Sequence, residues 1–321
     1  MNAQTLRTES LQFRPVLAGV ALLLATLPAA AIDWSGVKER QVHLLYPGQA
    51  SWEWVMTQSD HSGAGKFREG KNCSGCHEGE QADMGKSILS GSHKAESAPA
   101  KGRPGSQTLF VKTAHDAERL YFQLRWKPAP SSGVKMSEDA AHITVMLDDG
   151  GLKESARAGC WASCHDDAIG MKSAPAGTEI TKYYGGSRVK LTRQGGGTNT
   201  KPAADLEAAL KNDAYFEYWQ AVLNPGQAAK PVAGHILDQR KPHPASRLEA
   251  QAAFANGEWT VTLSRPMAPA GPGEKAIVAG KDYSIGFALH DDHAAHRFHH
   301  VSLGNSLRLD SGAADFVATA K

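Results

Sequence analysis

All four cysteines of the chain fall into two close pairs, each followed at once by a histidine: Cys73-Ser74-Gly75-Cys76-His77 and Cys160-Trp161-Ala162-Ser163-Cys164-His165. Paired thiols with a trailing imidazole are the pattern that adds across two porphyrin vinyl groups and sets the histidine beneath the iron as proximal ligand. The first run has the usual CxxCH spacing. The second, CxxxCH, is one residue longer and is a less common form of the same pattern. The sequence therefore predicts two covalently bound haem c groups, with Cys73, Cys76, Cys160 and Cys164 as attachment sites and His77 and His165 as metal ligands.

Three other uses of such cysteines compete. Structural disulfides usually join distant positions and need no trailing histidine. Structural zinc uses CxxC twice, or CxxC with a spaced histidine pair, not CxxCH eighty-odd residues from CxxxCH. A thioredoxin-like CxxC needs a strand-turn-helix setting that neither run has.

The N-terminus points to export. Arg7 and Arg14 precede an apolar run from Val16 to Leu27 and then Pro28-Ala29-Ala30-Ala31, a signal peptide spanning residues 1–31 and cleaved after Ala31. The run is shorter than the roughly 20 residues a bilayer requires, and no later segment is apolar enough, so the mature protein is expected in the periplasm without a membrane span. The formal charge of +2 falls to about +1 once Arg7, Arg14 and Glu9 leave. Lys and Arg are scattered without a basic run, which argues against nucleic-acid binding.

Periodicity divides the rest. Residues 32–107 read as a small, irregular and partly helical cytochrome c module with a short helix at Trp52–Met56, ending in a linker rich in Ser, Ala, Pro, Lys and Gly. From Thr108 onward, β-rich runs take over. Thr108–Thr113 and Leu120–Trp126 flank His115-Asp116-Ala117-Glu118 as a hairpin, and further strands are expected near 143–147, 215–222, 259–263, 283–289 and 299–303. Residues 204–210 suit a turn or two of helix. With only 7% aromatic residues and 32 glycines, short strands joined by turns are favoured over long helices. The predicted fold is mainly β: an antiparallel β-sandwich haem-binding domain at 108–321 with the small N-terminal module.

Leu120–Trp126, Met146-Leu147-Asp148-Asp149-Gly150, Gly286–Asp292 and Arg297–Ser302 resemble the haem-binding domain of ethylbenzene dehydrogenase and dimethylsulfide dehydrogenase gamma subunits. The N-terminal haem segment, with His61-Ser62-Gly63-Ala64 and Cys73–Glu80, resembles that of c-type versions of the domain. The resemblance implies a β-sandwich that holds haem and passes electrons for periplasmic molybdoenzymes. Those subunits hold b-type haem through Met and Lys without thioether bonds, an arrangement that Cys160, Cys164 and His165 would replace here.

A six-coordinate iron needs a distal ligand, histidine lowering the potential and methionine raising it. For the first haem, His61 is favoured over Met84 and His93, since the Gly-broken segment lets it fold back over the iron. For the second, the cluster of His290, His293, His296, His299 and His300 offers the supply, and it also suits a zinc or copper site or a solvated loop. The family's lysine ligand matches His299, ahead of His300 and His290. Arg297 is a candidate partner for a haem carboxylate. Trp126 and Trp161 suit either a porphyrin face or plain core. Asp148-Asp149 and Asp291-Asp292 read as turn residues before calcium ligands.

The expected function is that of a periplasmic dihaem cytochrome c carrying electrons between a quinol-side donor and a terminal oxidoreductase, with no catalytic residues of its own. Two alternatives stand beside it: a dihaem peroxidase or small-oxyanion reductase with one open iron, and a haem-based sensor or binding module.

Overall fold

The computed structural model describes residues 32–48, 50–93, 99, 102–130, 137–165, 182–190, 200–291 and 299–321. Trp34–Lys321 forms one compact unit, and every element below lies within it. Strand β1 (Arg40–Leu45) leads into four short helices, α1 (Trp52–Val55), α2 (Ala64–Arg68), α3 (Cys73–His77) and α4 (Gln81–Leu89). Strands β2 (Ser106–His115), β3 (Arg119–Trp126) and β4 (Ala141–Asp148) follow, then helix α5 (Ser155–Ala158), a 3-10 turn at Gly159–Ala162, β5 (Ser163–His165) and β6 (Lys182–Tyr184). Helix α6 (Ala203–Lys211) precedes β7 (Phe216–Leu223), β8 (Lys230–Ile236), β9 (Arg240–Pro242), β10 (Glu249–Ala255), β11 (Glu258–Pro266) and β12 (Tyr283–Asp291). The chain ends with β13 (His300–Val301), β14 (Asn305–Leu309) and β15 (Phe316–Ala320).

The protein is mainly β, and its main sheet runs β10-β11-β3-β2-β1-β13-β12-β4-β7-β8-β9. The pairs along this path are antiparallel, while β14 and β15 pair in parallel and β15 joins β2, also in parallel. The expected hairpin is present as β2 and β3. Asp116 closes it, its Oδ1 accepting from the backbone N–H of Glu118 at 2.8 Å and of Arg119 at 2.7 Å, the Asx geometry that makes aspartate a turn residue. The strand expected at 299–303 is only two residues long, and β1, β8, β9, β10, β14 and β15 are strands without a counterpart in the sequence reading.

Alternation along β4 and β7 sets two cores on opposite faces. Ile143, Val145 and Leu147, with Trp219, Ala221 and Leu223, enter the larger core. Met146, Phe216 and Tyr218 enter a second one with Trp52, Trp54, Phe67 and Ile88 from the helical segment. The sheet curls over the larger core: Phe122 of β3 meets Trp219 of β7 edge-on at 5.6 Å, although the two strands stand far apart in the strand order. Trp126 belongs to this core, stacked on Trp259 at 6.2 Å.

A charged cluster is buried at one end of β4 and β7. Arg265 Nε lies 2.8 Å from Glu217 Oε1, both side chains fully buried, and Lys275 Nζ lies 2.6 Å from Asp149 and 3.3 Å from Asp148. Asp148 also accepts from the N–H of Gly150, as a turn residue does, but Lys275 and Lys281 supply the positive charge beside this aspartate pair.

Nearby, burial pulls His235 down to about 4, with Lys241 and His243 adding to the effect and Asp238 opposing it. An unfolded histidine takes up its proton near pH 6.5, so between pH 6.5 and about 4 the unfolded chain binds more protons than the folded one. Stability is therefore expected to be full above pH 6.5 and to fall on acidification toward pH 4, by about 1–2 kcal/mol from this residue. Urea titrations across that range should show a shallower acid slope in His235→Gln. An unchanged slope would assign the loss to other groups.

Candidate functional site

The CxxCH run forms its own helix. Asn72 caps α3, its Oδ1 accepting from Gly75 N–H at 2.6 Å, and a Cβ at position 75 would come 2.6 Å from that same oxygen, so the cap needs glycine there. On a helix, residues three and four apart share a face, which sets Cys73, Cys76 and His77 side by side. All three line a cavity of about 680 Å³, within the usual range of about 300–1,000 Å³ for cofactor pockets. Its wall is completed by α1, α4, the turn carrying His61, and Trp161 and Leu303 from the β part.

The thiols are not joined to each other. Burial, the neighbouring Cys76 and, in opposition, Arg157 set the Cys73 thiol at about 11. A thiol-exchange nucleophile needs the opposite shift, so the raised Cys73 thiol argues against the thioredoxin-like reading.

All three candidate distal ligands, His61, Met84 and His93, line the cavity. The His61 ring lies 6.1 Å from that of His77, centroid to centroid. Imidazole nitrogens bind first-row metals at about 2 Å and ring centroids lie about 1 Å further out, so two rings on opposite sides of one iron stand about 6 Å apart. Both rings are also anchored by the nitrogen not needed for a metal. His61 Nδ1–H donates to the Val55 carbonyl at 2.9 Å, and His77 Nδ1–H donates to Glu80 at 3.0 Å. Burial, more than the proximity of His77, lowers the pKa of His61 and keeps it in the neutral form that binds metal.

The second motif enters against the first. Arg157 of α5 donates to the Phe67 carbonyl at 2.5 Å and stands over the Phe67 ring. Gly159, at φ +56°, crosses Gly304 so closely that a Cβ would lie 2.6 Å from the Gly304 Cα. Ser74 of the first motif donates to the Gly304 carbonyl at 3.3 Å, so both attachment segments touch one glycine. Cys164 pairs in register with Tyr183, whose hydroxyl donates to the buried Glu53 of α1. The side chains of Cys160, Cys164 and His165 lie outside the described residues, as do Arg297, His293, His296 and the signal segment 1–31.

Of the described histidines near β12, His300 is committed to structure: Nε2–H donates to the Pro104 carbonyl at 2.9 Å, and Nδ1 faces the Gln107 amide at 3.4 Å. His299 is buried and stacks on His290 with centroids 4.3 Å apart. Asp291 is the last residue of β12 and pairs with Arg103, so it is not a turn residue. The sequence reading missed Trp54, which packs 5.5 Å from His61, and Arg157 and Gly304, which fasten the two segments.

Two unpaired thiols and two anchored imidazoles 6.1 Å apart line one cofactor-sized cavity, a donor set that fits a covalently held haem c. The family model for ethylbenzene dehydrogenase matches residues 229–302. Cytochrome c-552 of Stutzerimonas stutzeri is 35% identical over 291 residues, covering 89% of this chain and 90% of its own length. Cytochrome c-551 of Rhodocyclus tenuis is 27% identical over 294 residues, covering 91% of this chain and 100% of its own. The chain belongs to the family of c-type cytochromes that carry an ethylbenzene dehydrogenase-type domain. Covalent haem c and a role in electron transfer come with that membership. Among the described residues no helix is long and apolar enough to cross a membrane.

Proposed function

We propose that the protein is an exported, periplasmic dihaem cytochrome that passes electrons between a quinol-side donor and a terminal oxidoreductase. Its divisions are the signal segment 1–31, the haem module 32–107 and a β-sandwich at 108–321. Bound haem supplies a one-electron couple at iron, and the residues attach, orient and enclose it. Cys73 and Cys76 would hold the first haem, with His77 and His61 as the iron ligands. Cys160, Cys164 and His165 hold the second, with His299 as its distal candidate and Arg297 toward its carboxylates.

The observation that carries this reading is the convergence of both motifs on Gly304, with Trp161 of the second lining the cavity of the first. Attachment segments in contact hold their cofactors close, which suits a relay. A pair of anchored histidines facing each other favours a closed iron over the open site a peroxidase or oxyanion reductase requires.

Mass spectrometry of the mature protein with a pyridine haemochrome assay tests the count. Two haems per chain are expected, falling to one in Cys160→Ala/Cys164→Ala. A single haem in the unaltered chain would overturn the dihaem assignment.

A further inference from the structure

Two indole N–H groups beside the α3 cavity have no acceptor among the described residues. Trp54 Nε1 and Trp161 Nε1 are both buried and have no hydrogen-bond partner among the described residues, and both side chains line this cavity. Trp54 is only 9% exposed and is fixed by its contacts with His61 and His93. Trp161 comes from the second motif, in the 3-10 turn Gly159–Ala162. Buried donors are almost always paired in folded proteins, so two orphans lining one cavity mark the place of acceptors carried by whatever fills it.

An iron porphyrin attached through its vinyl carbons, with its ring nitrogens on the metal, offers hydrogen-bond acceptors only at its two carboxylates. We propose that Trp54 and Trp161 are the donors that receive the carboxylates of the haem held by Cys73 and Cys76, an inference that rests on haem attachment at that pair. Asp60, Lys66, Lys71, Glu80, Asp83 and His93 also line the cavity. The two lysines stand on flexible stems and their attraction is screened by salt, whereas an indole N–H is a directed donor on a short side chain. Because Trp161 belongs to the second attachment loop, the first haem's carboxylates would be read by the segment that carries the second haem.

The test uses the intact holoprotein labelled at the indole nitrogen, with Trp54→Phe and Trp161→Phe to assign the two signals. Both N–H groups are expected to exchange with solvent at least about tenfold more slowly than in Cys73→Ala/Cys76→Ala, which lacks the first haem. Each Trp→Phe variant should also shift the midpoint potential of the first haem to more negative values, since a donor that spreads the carboxylate's charge is lost. Equal exchange with and without the first haem, or potentials unchanged in both Phe variants, would overturn the assignment while leaving the cytochrome reading intact. An unaltered haem mass in Cys73→Ala/Cys76→Ala would remove both.

Discussion

Replacing His61 by alanine is expected to turn the haem at Cys73 and Cys76 from low-spin to high-spin and to make its ferrous form bind carbon monoxide. The ring 6.1 Å from His77 disappears, and Met84 and His93, which line the same cavity, are the remaining candidates. The covalent haem count should stay the same, because the thiols are untouched. His61→Met should restore a low-spin spectrum and raise the potential of this haem by on the order of 0.1 V, a modest share of the roughly 0.8 V that axial ligands span. Optical spectra and redox titration check both variants. A low-spin, carbon-monoxide-inert His61→Ala protein would transfer the ligand role to Met84 or His93.

The second large effect lies away from the haem. Arg265→Met should cost about 3–5 kcal/mol, because it strands the Glu217 carboxylate in a dry site with no cation. Glu217 accepts from Trp219 Nε1 at 2.5 Å and from Lys275 N–H at 2.6 Å, and Arg265 approaches both of its oxygens. Burial, against the pull of Arg265, pushes the Glu217 carboxyl up to about 7. Above pH 7 the group is charged and needs its partner; below, it takes a proton and the partner matters less. The penalty read from urea titrations should therefore be larger at pH 8 than at pH 5. The double variant Glu217→Leu/Arg265→Met should recover part of the loss, since the Glu217 charge goes with its partner while the buried Glu274, 3.7 Å from Arg265, still loses its cation. Additive losses would show that the pair is not coupled.

The grouping of Cys73, Cys76 and His77 was legible in the sequence because it is local: two thiols and an imidazole within five residues need only one turn of helix to share a face. The β2–β3 hairpin was legible for the same reason, its alternation and its Asp116 turn both lying within twenty residues. Strand β10, with Ala and Gln where β-branched residues would signal a strand, and β14 and β15, whose pairing is parallel and partly to β2, gave no local sign. His61 could be listed among three candidates but not singled out, since its place opposite His77 depends on the turn that anchors it to Val55. Trp54, Trp161 and Gly304 gain their meaning only when segments far apart in sequence meet.

That meeting also sets an order of events. The hydrogen bond from Ser74 to Gly304 joins residues 230 positions apart, and contacts of such range form late because a very long loop must first close. Until the C-terminal segment docks, the part of the wall formed by Leu303 is absent and the cavity beside the two thiols of α3 is incomplete. Cofactor attachment is therefore expected to precede closure of the cavity by residues 303 and 304, while the α3 thiols are still accessible.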